Sequence, residues 1–327
     1  MTYLKEIVEI DITELGFSIG HAQDIQAATG CTVILHPKGA TAAVDVRGSA
    51  PATRETDLLD PMNMVEEIHG IVLSGGSAYG LAAADGVMRF LEEKNIGFDV
   101  GVGKVPIVCG ACLFDLAIGN SQIRPDAKMG YQACQTAFQH QKLAKGNVGA
   151  GTGASVGKCL GSSYAMKAGF GHYAVQIGEL KIGALVAVNA FGDVYSPENQ
   201  ILAGCYDRKQ QQFLPTDDWF IQQAGHGAIG FNRQNTTIGC ILTNAKINKA
   251  QAKKIASMSH DGYARAIRPV HTSVDGDSIF TFASGEVTDI SIDALGNIAA
   301  HVMQKAIYEA IYHTKSAYGL PSFQSNN

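Results

Sequence analysis

Arg233-Gln234-Asn235-Thr236-Thr237-Ile238-Gly239-Cys240-Ile241-Leu242-Thr243 passes from a polar loop into a run of β-branched and apolar residues, and the change falls between Asn235 and Ile238. That pattern predicts a buried strand with a hydroxyl at its mouth. A cut before Thr236 would give this residue a free α-amine beside its own hydroxyl, one of the ways a weak alcohol becomes a nucleophile. Such an amine titrates at about 7.7–8.0, near enough to neutral to serve as a base. Thr is also simply a good strand former, and on this stretch alone the plain strand start is the stronger reading. The rest of the chain decides between the two.

The chain has 327 residues, 46% of them apolar and 17% charged, with 37 glycines. This is enough for two average domains or one large one, with a closely packed, sharply turned backbone, and it predicts a compact α/β enzyme rather than a fibrous or disordered chain. The net charge is −5 and no Lys/Arg cluster is visible, so there is no electrostatic footprint for nucleic acid. The stretch Met1–Glu9 lacks the apolar centre and cleavage site of a leader, and no run approaches the about 18 apolar residues of a membrane span. A soluble, cytoplasmic protein is expected. Seven cysteines, an odd number, fit reduced thiols better than a disulfide framework.

Before the central stretch, Thr32–His36 and Ala42–Arg47 alternate as two separate strands with one wet face. Ile71-Val72-Leu73 reads as a buried strand entering Ser74-Gly75-Gly76-Ser77, with a helix from about Ala78 to Lys94. Tyr79 stands where a nucleophile elbow needs its second glycine, so that motif fails. Cys109 and Cys112 form a single C-x-x-C, which supplies only two metal ligands and reads as a pair of small buried thiols. The glycine-rich stretch 146–159 misses the phosphate-loop spacing, because Lys158 is followed by Cys159 where Ser or Thr should hold magnesium. Its Gly151-Thr152-Gly153 turn can still offer N–H groups to a carbonyl oxygen, with Lys158 as a charged candidate at its end.

Two strands, 173–177 and 182–189, are joined by a tight turn. Asn189 ends the second, either capping a turn or donating into a site. Residues 204–235 show no sustained periodicity and read as a long linker, functional or processed. Asn248 with Gln251 opens a helix that Pro269 stops. Asp275-Gly276-Asp277 then precedes a strand; it is either a plain turn or a carboxylate pair on one side of an extended backbone. A last helix covers about 290–313.

Several blocks in order carry a resemblance over nearly the whole chain: Gly20-His21-Ala22-Gln23-Asp24, Asp45-Val46-Arg47-Gly48, Thr53-Arg54-Glu55-Thr56-Asp57, Leu73–Leu81, Gly149–Gly153, Asn235-Thr236-Thr237 and Arg268-Pro269-Val270-His271-Thr272. Together they resemble the self-processing aminopeptidases and amidases of the DmpA type, and among these most nearly the nylon-oligomer (6-aminohexanoate-oligomer) endohydrolases. The resemblance implies an α+β fold, a four-layer αββα sandwich of the N-terminal-nucleophile kind, formed as one domain over 1–327. It further implies cleavage between Asn235 and Thr236 into segments 1–235 and 236–327.

Thr236 then matches the nucleophile, and Asn189 an oxyanion-stabilising Asn. Lys158 matches a lysine near the nucleophile, and Asp275 and Asp277 the acidic pair of the nylon-oligomer branch. Cys112 or one of its neighbours stands where the family often carries a Tyr near the oxyanion. No metal or other cofactor is implied. The expected partners are short oligoamide or peptide substrates and further copies of the chain, in a tetramer; L-aminopeptidase, β-aminopeptidase and acyltransferase activities are the alternatives.

Overall fold

The computed structural model describes residues 6–139, 141–225 and 235–326. The first residues of the Met1–Glu9 stretch, and the Arg233-Gln234 end of the polar loop, lie outside the described residues, as does the end of the linker from His226.

The strands that build the fold are β1 (Ile7–Glu9), β2 (Ser18–Asp24), β3 (Thr29–Val46), β4 (Thr53–Arg54), β5 (Glu67–Ser74), β6 (Val108–Cys112), β7 (Phe170–Ile177), β8 (Leu180–Ala187), β9 (Asp193–Tyr195), β10 (Ile238–Ala245), β11 (Ile267–Arg268) and β12 (Ser278–Val287). The helices are α1 (Ala83–Glu93), α2 (Ala127–Ala137), α3 (Thr216–Gln223), α4 (Lys249–Ala266) and α5 (Ile292–Tyr312). Hydrogen bonding runs β1-β7-β8-β10-β12-β3-β5-β6-β4, with β2 also on β3.

Strand β3 explains how one ladder makes two layers. Its first part pairs with β2 and β5, its last part with β12, and the register shifts between Leu35 and Ala40. Gly39 supplies the left-handed backbone at that shift (φ 82°). The two separate strands expected at 32–36 and 42–47 are therefore one long strand that passes from one sheet to the other.

Side-chain parity separates the layers. On β10, Ile238, Cys240 and Leu242 face the space between the sheets while Ile241 packs toward α4 and α5. On β12, Phe280 and Phe282 go inward and Ile279 and Ala283 outward. On β3, Ile34 goes inward, whereas Cys31, Val33 and Leu35 pack against α1 and α2. Three apolar layers thus lie between four structural ones: α4/α5, sheet, sheet, α1/α2. This is the αββα sandwich, of α+β class.

Two elements differ from expectation. Helix α2, capped by Asp126 on the Met129 N–H, lies in a stretch that carries no reading above. The linker expected over 204–235 contains helix α3, held at its start by Asp193: Oδ2 accepts the Thr216 N–H at 2.6 Å and Oδ1 its hydroxyl at 2.7 Å. All seven cysteines are free thiols. Among the described residues no helix is long and apolar enough to cross a membrane.

Candidate active site

Strand β10 is central, and its two neighbours run in opposite senses. It pairs antiparallel with β8, Ala187 facing Ile238, and parallel with β12, Ser278 also facing Ile238. The end of β8 and the start of β12 therefore meet at the N-terminal mouth of β10. That topology brings Asn189, Asp275 and Asp277 to Thr236, although they lie far apart in the chain.

Thr236 is buried, and its N–H donates to the Asn189 main-chain oxygen at 3.0 Å. Its hydroxyl lies against the carbonyl of Asn235, the residue that would be the acyl group in a self-cleavage. The Asn235 oxygen also accepts the Gly276 N–H at 3.2 Å. A Cβ built on Gly276 would lie 2.8 Å from Thr236 Oγ1, so the glycine is what leaves room for the hydroxyl.

Asn189 is the hub. Its Oδ1 accepts the Ser155 N–H at 3.0 Å and Lys158 Nζ at 2.8 Å, its Nδ2 donates to Phe114 O at 2.9 Å, and Nζ also reaches its main-chain oxygen at 3.2 Å. Burial pulls the Lys158 ammonium down to about 7 against the opposing pull of Asp275 and Asp115.

Both acidic residues are buried, and Asp277 bonds to the main chain beside Thr236. Asp277 Oδ1 accepts the Thr237 N–H at 2.7 Å, and Oδ2 accepts the His271 main-chain N–H at 3.1 Å and its Nδ1 at 2.9 Å. Asp275 Oδ1 accepts the Phe191 N–H at 3.3 Å, and Oδ2 the Thr272 N–H and hydroxyl. Burial first, then the charge of Asp277, pushes the Asp275 carboxyl up to about 7. Among the described residues the Thr236 hydroxyl bonds only to the Asn235 carbonyl.

The glycine-rich turn sits behind this centre. The N–H groups of Gly151 and Thr152 bond to Val148 O and Gly149 O within the turn, and Gly153 packs closely on the Ala28 carbonyl. The N–H that reaches the centre is that of Ser155. Lys167, buried and lowered to about 7 by its burial, ties the turn through Gly151 O at 3.1 Å and Ala154 O at 2.9 Å. Cys112 ends β6 beside Ser74 in the parallel register, its N–H on Ala52 O at 2.8 Å and its thiol pushed up by burial.

The sequence assigns no role to three participants. Gly276 offers a main-chain donor, His271 binds Asp277, and Asp115 holds the 74–77 turn by accepting the Gly76 N–H at 2.7 Å and the Thr29 hydroxyl at 2.7 Å. Asp115 had a visible signal: it is an acid inside an apolar run, and burial lifts it to about 6. Among the described residues no group of three or more His, Cys, Asp or Glu is placed to hold a metal ion.

This arrangement has relatives. The chain is similar to an uncharacterized aminopeptidase of Mycobacterium leprae, 38% identical with 95% of this chain and 92% of that protein covered. It is similar also to the 6-aminohexanoate-oligomer endohydrolase of Agromyces sp., 30% identical over 94% of this chain and 86% of the other. In three dimensions it resembles the L-aminopeptidase D-Ala-esterase/amidase of Ochrobactrum anthropi, described as a variant of the Ntn hydrolase fold, with a TM-score of 0.64, 17% sequence identity, and 93% of this chain and 86% of that chain covered. Peptidase family S58 is matched over residues 10–322, nearly the whole chain and every residue of the centre around Thr236, and to that family this protein belongs.

Proposed function

We propose that this chain is a self-processing amide hydrolase whose nucleophile is Thr236, made N-terminal by cleavage after Asn235. The observation that carries the reading is the pair of contacts made by Thr236, its N–H on the Asn189 carbonyl and its hydroxyl against the Asn235 carbonyl. In processing, Oγ1 attacks the Asn235 carbonyl carbon, the C–N bond to Thr236 breaks, and the nitrogen takes the proton, leaving an ester on Oγ1. Water hydrolyses the ester, and segments 1–235 and 236–327 stay associated. The Gly276 N–H sits on the oxygen where negative charge develops.

In turnover the same hydroxyl attacks a substrate amide and the freed α-amine carries the proton. The Asn189 carbonyl accepts one N–H of that amine and so leaves its lone pair for the hydroxyl. Lys158, Asp275 and Asp277 set the charge around it. The proposed substrates are short linear amides ending in an amine, 6-aminohexanoate oligomers among them, since a 30%-identical relative bears that activity in its name. The mycobacterial relative favours a second reading with the same chemistry, an aminopeptidase on peptides.

Intact-mass analysis of the purified protein under denaturing conditions, beside Thr236→Ala, tests the mechanism. Two species split between Asn235 and Thr236, against one uncut species in the variant, is the expected result. A single full-length species in both, stable on long incubation at neutral pH, refutes it.

A further inference from the structure

We infer that His271 is the positioning residue for Asp277, holding that carboxylate in the orientation that fixes the main chain at Thr236-Thr237. The inference rests on the reading of Thr236 as the nucleophile.

Asp277 bridges two parts of the chain. One oxygen accepts the N–H of Thr237, next to the nucleophile, and the other accepts two N–H groups of His271, main chain and ring, at 3.1 and 2.9 Å. A carboxylate can only accept, so Nδ1 carries the proton of this bond. The other ring nitrogen, Nε2, is buried and has no hydrogen-bond partner among the described residues. The polar engagement of the ring is thus directed at Asp277 alone.

The backbone delivers it at a cost. His271 adopts a left-handed conformation (φ 59°), uncommon for a residue with a side chain, and burying Nε2 without a partner adds a desolvation cost. A residue needed only to fill space would incur neither. The bond that offsets both is the one to Asp277.

The ring is packed on α4, where His260 lies at a centroid distance of 4.7 Å and Tyr263 at 6.1 Å. The charged and titratable groups around it are Asp277, His260 and Tyr263, with Asp45 and Arg47 of the β3 end behind His260 and Asp275 beyond Gly276. Desolvation holds His260 neutral, down to about 4, so it offers Asp277 no competing cation.

The experiment compares the rate of processing of purified precursors of the wild type, His271→Phe and His271→Asn by intact mass. Phe keeps a ring against His260 but has no N–H. Asn keeps a side-chain N–H and suits left-handed backbone. Loss of one bond to a charged group predicts processing slower by about tenfold to a hundredfold in the Phe variant. The Asn variant is expected to process close to the wild type, and it carries the test if the Phe variant does not fold.

A Phe variant that processes at the wild-type rate overturns the inference. So does an Asn variant that recovers nothing. A wild type that never cleaves counts against the Thr236 reading instead, and is distinguished by the wild-type arm alone.

Discussion

Lys158 turns its Nζ onto both oxygens of Asn189, 2.8 Å from Oδ1 and 3.2 Å from the main-chain oxygen. The same main-chain oxygen accepts the Thr236 N–H at 3.0 Å. One carbonyl therefore sets a lysine beside the nitrogen that the proposed cleavage would free as an α-amine. With its own value lowered to about 7, Lys158 is charged in a substantial share of molecules at neutral pH. A cation beside an amine disfavours protonation of that amine, which keeps its lone pair available as the base.

Lys158→Met tests this role. The expected outcome is processing and turnover slower by about a hundredfold or more, the scale of an impaired proton-transfer group. Stability is expected to change by only about 1 kcal/mol, because each Asn189 oxygen keeps another donor, Ser155 N–H on Oδ1 and Thr236 N–H on the main chain. A time course by intact mass, with thermal unfolding of the same samples, separates the two effects. A folded Met variant that processes at the wild-type rate would remove Lys158 from the chemistry.

Asp275 gives a pH dependence whose sign is the reverse of the usual carboxylate. Its folded value of about 7 lies above the ordinary 3.8. Between those values the folded chain binds more protons than the unfolded one, so stability falls as pH rises from about 4 to about 7. Asn at 275 cannot titrate and lacks this fall. Asp115 and Asp193, each lifted to about 6, contribute to both proteins and cancel in the comparison. Wild type minus Asp275→Asn, followed by urea unfolding at a series of pH values, is expected to decline across that window by on the order of a few kcal/mol. A difference that is flat with pH would show that the Asp275 value is not raised in the folded protein.

What was legible in the sequence divides along physical lines. Thr236 announced itself because a polar loop meets a buried strand there, and Asn189 because it ends an apolar run; both signals are local. The α+β sandwich came from blocks in order, and the parity of β10 and β12 agrees with it. Helix α3 stayed hidden because its capping acid, Asp193, lies 23 positions away from Thr216. The continuity of β3 stayed hidden because Lys38-Gly39 looks like a turn, whereas the strand only shifts register there. In Asp275-Gly276-Asp277 the acids drew the reading, and a main-chain N–H that finds the Asn235 carbonyl leaves no mark in residue type. His271 likewise matters through a bond to Asp277 at the far side of a turn, which no periodicity reports.

Gly276 gives the sharpest test of the geometry at Thr236. A Cβ there would lie 2.6 Å from Ala50 O and 2.8 Å from Thr236 Oγ1, and neither separation can persist. Ala50 is tied by its own N–H to Asp275 O at 2.9 Å, while the Thr236 hydroxyl sits at the end of a rotatable bond. The Ala50 carbonyl must give way as well, and the hydroxyl, the freer of the two, turns away from the Asn235 carbonyl. Gly276 is not in a left-handed conformation, so Ala meets no backbone objection and still supplies the N–H that bonds Asn235 O. Gly276→Ala is expected to fold with a loss of about 1–3 kcal/mol from overpacking. Its processing should slow by about a hundredfold, as displacing a reacting atom by an ångström does. Thermal unfolding and an intact-mass time course read the two quantities separately. A variant that loses stability yet cleaves at the wild-type rate would mean that the hydroxyl attacks from a position other than the one it occupies against Gly276.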